Sequence, residues 1–254
     1  MILSSAHTAE NRSATGVRIA TAGWSIPRAV AKAFPPEGSG LERYASRFDA
    51  VEINSTFYRP HRPTTYARWA AATPPDFRFS VKLPKAITHE ARLIGCQDQV
   101  AAFRAEAGQL GHKLGPLLVQ LPPSLVFSAS AHERVFAGLR GVWPDPVVLE
   151  PRHASWFDPD AEALLRAYHI ARVAADPAPH PDASRPGGWP GVAYWRLHGS
   201  PRMYYSTYDD RAQAALADHL RSDETRETWC VFDNTAAGAA AANALELQVL
   251  IGSR

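Results

Sequence analysis

The chain is short of cysteine. Its two, Cys96 and Cys230, lie far apart and form no C-x-x-C pair, which excludes a disulfide framework and a cysteine zinc site. Free thiols in a reducing cytoplasm are the expectation. No apolar stretch approaches the roughly 20 residues that a bilayer span requires, so no membrane partner is expected. Excess charge is also missing. Lysine and arginine number 27 against 25 aspartates and glutamates, and a net charge of +2 does not by itself mark a nucleic-acid binder. A local basic groove stays open. Residues 1–16 are polar and lack the apolar core of a secretory signal, so they read as a disordered lead-in to one domain over residues 17–254.

What the chain does have is one pattern, used repeatedly. In Val147-Val148-Leu149-Glu150-Pro151-Arg152-His153, three apolar residues are followed at once by ionisable ones. An unalternated apolar run fits a strand covered on both faces, as in parallel sheets, and ionisable groups at its carboxyl end stand where such sheets meet ligands. Comparable strands are predicted over 17–24, 50–56, 77–83, 115–121, 170–175, 192–197 and 229–232. Helical spacing predicts helices over 41–48, 64–72, 97–110, 131–139, 159–168, 211–220 and 237–251. Asp158 is the expected N-cap of the fifth, with Pro159 in its first turn. Residues 177–191 hold five prolines and three glycines, too many breakers for a regular element, and read as a surface loop near the site. Eight strands alternating with helices in about 250 residues predict a parallel α/β fold of the TIM type, a (β/α)8-like barrel in a single domain.

On that reading one rim collects Trp24, Glu52, Asn54, Lys82, Gln120, Glu150, Arg152, His153, Asp176, Arg196, His198, Asp233 and Asn234. Alternation along the second strand sends Glu52 and Asn54 to one face. Glu52 and Glu150 are candidates for an acid and base pair; the alternative is that each forms an ion pair with Lys82, Arg152 or Arg196. Lys82, Arg152, Arg196 and Arg202 form a candidate anion cradle, and His198 a proton shuttle. Trp24, Phe57, Tyr58, Trp156, Tyr204, Tyr205 and Tyr208 lie in the same loops, where aromatics stack on bases or pack as core. No cofactor is expected. Glu52, Glu150, Asp176, His198 and Asp233 supply donor types for a divalent metal, but no tight histidine spacing fixes a geometry.

The stretches Thr21-Ala22-Gly23-Trp24, Val51-Glu52-Ile53-Asn54-Ser55-Thr56-Phe57-Tyr58, Phe77-Arg78-Phe79-Ser80-Val81-Lys82 and Ile87-Thr88-His89 go together with Leu117-Leu118-Val119-Gln120-Leu121-Pro122-Pro123. Glu150-Pro151-Arg152-His153-Ala154-Ser155-Trp156, Tyr194-Trp195-Arg196-Leu197-His198-Gly199 and Phe232-Asp233-Asn234 complete the set. In these the chain resembles the YecE-like family, domain of unknown function seventy-two, over nearly everything after residue 17. The resemblance implies a TIM-barrel-like fold likened to that of apurinic-site endonucleases, and it implies no reaction. Two departures stand out: the family usually has Asn-Asn where Asp233-Asn234 sits, and Pro151 occupies a usually apolar or aromatic position.

The function expected from the residues is an enzyme of hydrolase or lyase type. It would act on a small anionic, phosphate-bearing or nucleic-acid-derived substrate, with Glu52, Lys82, Glu150, Arg152 and His198 as catalytic groups. The remaining rim residues, with Tyr58, Arg202 and Tyr205, would bind the substrate. The alternatives are a non-catalytic protein that holds single-stranded nucleic acid and a metal-dependent phosphoesterase or nuclease. Oligomeric state is open.

Overall fold

The computed structural model describes residues 16–222 and 227–252, so the expected lead-in lies outside the described residues except for Gly16, whose carbonyl accepts the Thr228 N–H at 3.3 Å. Ten strands form two sheets: β1 (Val17–Thr21), β2 (Ala50–Ile53), β3 (Arg78–Lys82), β4 (Leu114–Gln120), β5 (Val147–Glu150), β6 (Ile170–Arg172), β7 (Ala174–Asp176), β8 (Gly187–Gly188), β9 (Ala193–Leu197) and β10 (Thr228–Phe232). The order is β1-β10-β9-β7 in one sheet and β2-β3-β4-β5-β6-β8 in the other, with every pairing parallel except β6 with β8. Between the strands run α1 (Gly40–Ala45), α2 (Pro63–Ala71), α3 (Gln97–Ala107), α4 (Ala129–Val142), α5 (Pro159–Ala167) and α6 (Asp210–Arg221), and α7 (Ala239–Gly252) closes the described chain. None of these helices is long and apolar enough to cross a membrane.

The structure differs from the expected eight strands at two adjoining places. The sixth strand is divided at Val173: β6 pairs with β5 in one sheet, β7 pairs with β9 in the other, and the Val173 N–H still donates to the Leu149 carbonyl. The adjoining segment 177–191 is more ordered than its breakers suggest. It forms a 3-10 turn at Pro181–Ser184 and then β8, where Gly188 has a φ of +67° and an added Cβ would come within 2.6 Å of the Ile170 carbonyl. Glycine is what lets this backbone lie against β6. The segment packs on α5 and β6, and His180 stacks on Phe157. Asp158 does occupy the N-cap of α5, but its side chain makes no capping hydrogen bond.

The strands are buried on both faces, as the unalternated runs predict. Val51, Phe79, Val119, Leu149 and Leu197 face the helices in the larger core. Alternate positions, among them Ala20, Ala50, Leu118, Val148, Val173, Tyr194, Trp229 and Val231, form a second core of their own. Gly115 makes room in it, because a Cβ there would lie 2.9 Å from the Trp229 ring and 3.2 Å from the Phe79 carbonyl. Gly115→Ala should therefore lower stability by about 1–3 kcal/mol through overpacking, read as a shift of the urea midpoint. An unchanged midpoint would mean that the indole can move aside.

Candidate functional site: a buried ionic cluster at the strand ends

Further along six of these strands, the inward row turns polar. Ala50 is followed by Glu52, Ser80 by Lys82, Leu118 by Gln120, Val148 by Glu150, Tyr194 by Arg196 and His198, and Val231 by Asp233. A period of two carries the side chains to the same side as the core residues that precede them. Parallel register aligns the rows, with Glu52 opposite Ser80 and Gln120 opposite Glu150.

Arg196 is at the centre and fully buried. Its Nε and Nη2 donate to the two Glu52 oxygens at 2.9 and 2.7 Å, its Nη1 to Glu150 Oε2 at 2.9 Å, and its Nη2 also lies 3.0 Å from Asp233 Oδ2. His198 sits between two carboxylates, with Nδ1 3.0 Å from Asp233 Oδ2 and Nε2 2.8 Å from Glu150 Oε1. Arg152 donates to Glu150 Oε1 at 2.6 Å and Gln120 to Glu150 Oε2 at 3.1 Å, so both Glu150 oxygens are shared by two donors. Tyr194 donates to Glu52 Oε2 at 2.9 Å and meets Ser80 Oγ at the same distance. Lys82 is 4% exposed and lies over the Phe57 ring, 4.1 Å from its centroid.

Burial opposes charge throughout this cluster, and the partners mostly overcome it. Burial would raise the Glu150 pKa, but Arg196, Arg152 and His198 hold it well below the usual carboxylate range. Asp233 is likewise lowered by Arg196, His198 and Lys82 against its own burial. His198 is raised, because Glu150 and Asp233 outweigh desolvation. With the imidazole protonated, the 3.1 Å approach of Arg152 Nη2 to His198 Nε2 is a contact between two donors that share Glu150. Lys82 goes the other way: burial first, then the Arg196 charge, push it down to about 8 despite Glu52, Glu150 and Asp233.

The structure thus brings together Glu52, Lys82, Gln120, Glu150, Arg152, Arg196, His198 and Asp233. The other candidates lie outside the cluster. Asn54 does not continue the alternation with Glu52, because β2 ends at Ile53 and Asn54 opens a turn at φ −81°, ψ −20°. Asp176 accepts from Tyr208 at 2.6 Å, Asn234 donates to the Ser206 carbonyl and to Asn243, and His153 caps the turn Ala154–Phe157. These residues support the loops around the cluster. Trp24 packs edge-on against Trp69, and Trp156 is core, donating to the Leu125 carbonyl. Tyr58 is 71% exposed, and Arg202 stacks on the exposed Tyr205 ring at 4.0 Å. Two residues escaped sequence reasoning, Tyr194 and Ser80, although counting back by two from Arg196 and Lys82 reaches both.

Among the described residues, no group of three or more His, Cys, Asp or Glu side chains is disposed to hold a metal ion. A cleft of about 530 Å³ lies elsewhere, lined by Arg166, Arg172 and Arg185 among others. Its Arg172 is engaged by Glu162 and by the Asp182 and Arg185 carbonyls, so that charge holds the loop in place.

The fold and the cluster define an α/β protein with parallel-rich sheets and ionisable groups massed at its strand ends. Residues 18–254 match the family model described as protein of unknown function DUF72, and the chain belongs to that family. It is 37% identical over 99 residues to the UPF0759 protein YecE of Escherichia coli, covering 39% of this chain and 35% of that one. To the UPF0759 protein YunF of Bacillus subtilis it is 27% identical over 156 residues, 56% of this chain and 53% of that one. The chain therefore spans between a third and about half of the curated relatives it matches. A solved DUF72 family protein of Thermotoga maritima superposes with a TM-score of 0.77 at 26% identity, over 93% of this chain and 99% of that one. One from Enterococcus faecalis has a TM-score of 0.76 at 21% identity, over 93% and 95%, a likeness of fold alone.

Proposed function

We propose that the two sheets are one (β/α)8-like barrel and that the cluster at its C-terminal mouth is the active site of an enzyme acting on a small anionic, phosphate-bearing substrate. The barrel reading is supported by the Ala22 to Glu52 bridge between β1 and β2, by strand 170–176 pairing into both sheets, and by the second core inside them. The observation that carries the functional reading is the convergence of cations at the mouth. Three carboxylates face Lys82, Arg152, Arg196 and a His198 held toward its charged form, and the Arg152 Nε is buried without a partner among the described residues. An anion would complete that shell. Within this reading Glu52 and Glu150, spent on their donors, orient Arg196 and His198, while Lys82 and His198 carry protons.

Inorganic phosphate and ribose 5-phosphate should bind, and Arg152→Met should weaken both roughly 10- to 100-fold, the worth of a hydrogen bond to a charged group. Calorimetric titration measures it. No binding at millimolar ligand, or equal binding by the variant, would end the proposal.

A second reading, single-stranded nucleic acid at the rim, is favoured by the Arg202 and Tyr205 stack and the exposed Tyr58. It predicts steep salt dependence, a slope that falls in Arg202→Ala, and indifference to Arg152→Met.

A further inference from the structure

We propose that Lys82 is an imine-forming lysine and that the substrate of this mouth is a small phosphorylated aldehyde or ketone; this rests on the anion-binding reading above. The chain has four lysines, Lys32, Lys82, Lys85 and Lys113. Lys32 is exposed, and Lys85 pairs with Glu90 at 3.4 Å. Lys113 is buried but gives its protons to the Ala70 carbonyl, the Thr73 carbonyl and Thr73 Oγ1, all within 3.2 Å. That ammonium is a structural tie.

Lys82 is buried without any such acceptor. Among the described residues no hydrogen bond or ion pair reaches its Nζ, and its contact is the Phe57 ring face, itself braced edge-on by His89. The main chain is fixed by Thr56 Oγ1 donating to the Lys82 carbonyl at 2.5 Å. A buried amine with no acceptor and a second cation beside it is held toward the neutral, nucleophilic form, and its downward shift to about 8 agrees. Glu52, Glu150 and Asp233 are near enough to favour positive charge at the same nitrogen, which suits the cation formed next.

The chemistry balances with water as the leaving group. The Lys82 lone pair adds to the carbonyl carbon, the carbonyl oxygen takes up a proton, and a carbinolamine results. Its hydroxyl takes a second proton and departs as water, and the nitrogen becomes an iminium after losing one of its own protons. Overall one proton is consumed and one water released. The iminium then withdraws electrons from the neighbouring carbon, and Arg152 holds the phosphate end.

The test is reductive trapping. Full-length protein is incubated with glyceraldehyde 3-phosphate or unphosphorylated glyceraldehyde and sodium cyanoborohydride, and the adduct is mapped by peptide mass spectrometry, which separates Lys82 from the amino terminus and the other lysines. At pH 8 Lys82 should be labelled well ahead of Lys32 and Lys85, because its shift from 10.5 to about 8 raises its own neutral fraction roughly a hundredfold. Its labelling rate should titrate near 8, and glyceraldehyde 3-phosphate should outpace glyceraldehyde. Lys82→Arg, whose guanidinium cannot form the adduct, should bind inorganic phosphate yet lose that label. Labelling of Lys82 no faster than of Lys32 overturns the proposal, and with inorganic phosphate still bound it does so while the anion reading survives. Fast labelling with equal rates for the two aldehydes keeps the imine-forming lysine and overturns the phosphorylated substrate.

Discussion

Arg196→Met should lower folding stability by about 3–5 kcal/mol at pH 7, well above the ~1 kcal/mol of an average substitution. The methionine fills much of the same stem, but among the described residues it leaves Glu52 with Tyr194 as its remaining side-chain donor and removes one of the cations shared by Glu150 and Asp233. Three carboxylates are then buried together with less to compensate them. The loss should also depend on pH in a definite direction. Without the guanidinium that lowers them, burial and mutual repulsion should carry the folded-state pKa values of Glu150 and Asp233 up, above their unfolded ones. Such groups penalise folding above the raised values and recover stability as pH falls through them, at up to about 1.4 kcal/mol per pH unit for each proton taken up. Urea midpoints of both proteins from pH 7 to 5 should therefore draw closer together. A deficit under about 1 kcal/mol, or one constant with pH, would show that Arg196 is not the counter-charge that makes this cluster foldable.

That experiment probes what the sequence leaves open. The strand ends are legible because apolar runs stop abruptly at Glu52, Lys82, Glu150, Arg196 and Asp233, and a parallel sheet concentrates such termini at one edge. Whether Glu52 and Glu150 are an acid and base pair or ion-pair partners depends on distances between β2, β5 and β9, which no local pattern encodes. The geometry supplies the ion pairs. Tyr194 is hidden for a different reason: an aromatic inside Val-Ala-Tyr-Trp reads as core, and only its inward register with Arg196 turns its hydroxyl toward Glu52. Trp24 and Asn54 are misleading in the opposite sense, because each follows a strand but is diverted, Trp24 by a distant partner on α2 and Asn54 by a turn one residue earlier than alternation assumes.

Asp233 stands beside Asn234 just past the end of β10, and its position gives its charge a consequence. It adds a third carboxylate, joining His198 and Arg196 through one oxygen. The imidazole between Asp233 and Glu150 is the group that feels it.

In Glu150→Gln, His198 should lose its raised pKa and titrate near or below the ordinary 6.5, because burial then acts against one carboxylate instead of two. The imidazole proton signals report this directly. In the wild type, His198 contributes stability fully present below 6.5 and lost as pH rises through its raised value. Glu150 and Asp233 contribute stability present above 4.5 and 3.8 and lost as pH falls through their lowered values. Removing the Glu150 charge should cost about 3 kcal/mol at neutral pH by leaving Arg152, Arg196 and His198 short of a partner. That deficit should narrow in acid, where the wild-type carboxylate is itself neutralised. Asp233→Asn should move His198 in the same direction through the other ring nitrogen. If both variants leave the imidazole above 6.5, the carboxylates do not hold its proton. If Glu150→Gln instead abolishes turnover while the His198 titration stays as in the wild type, Glu150 acts as the base itself and the positioning role assigned to it falls.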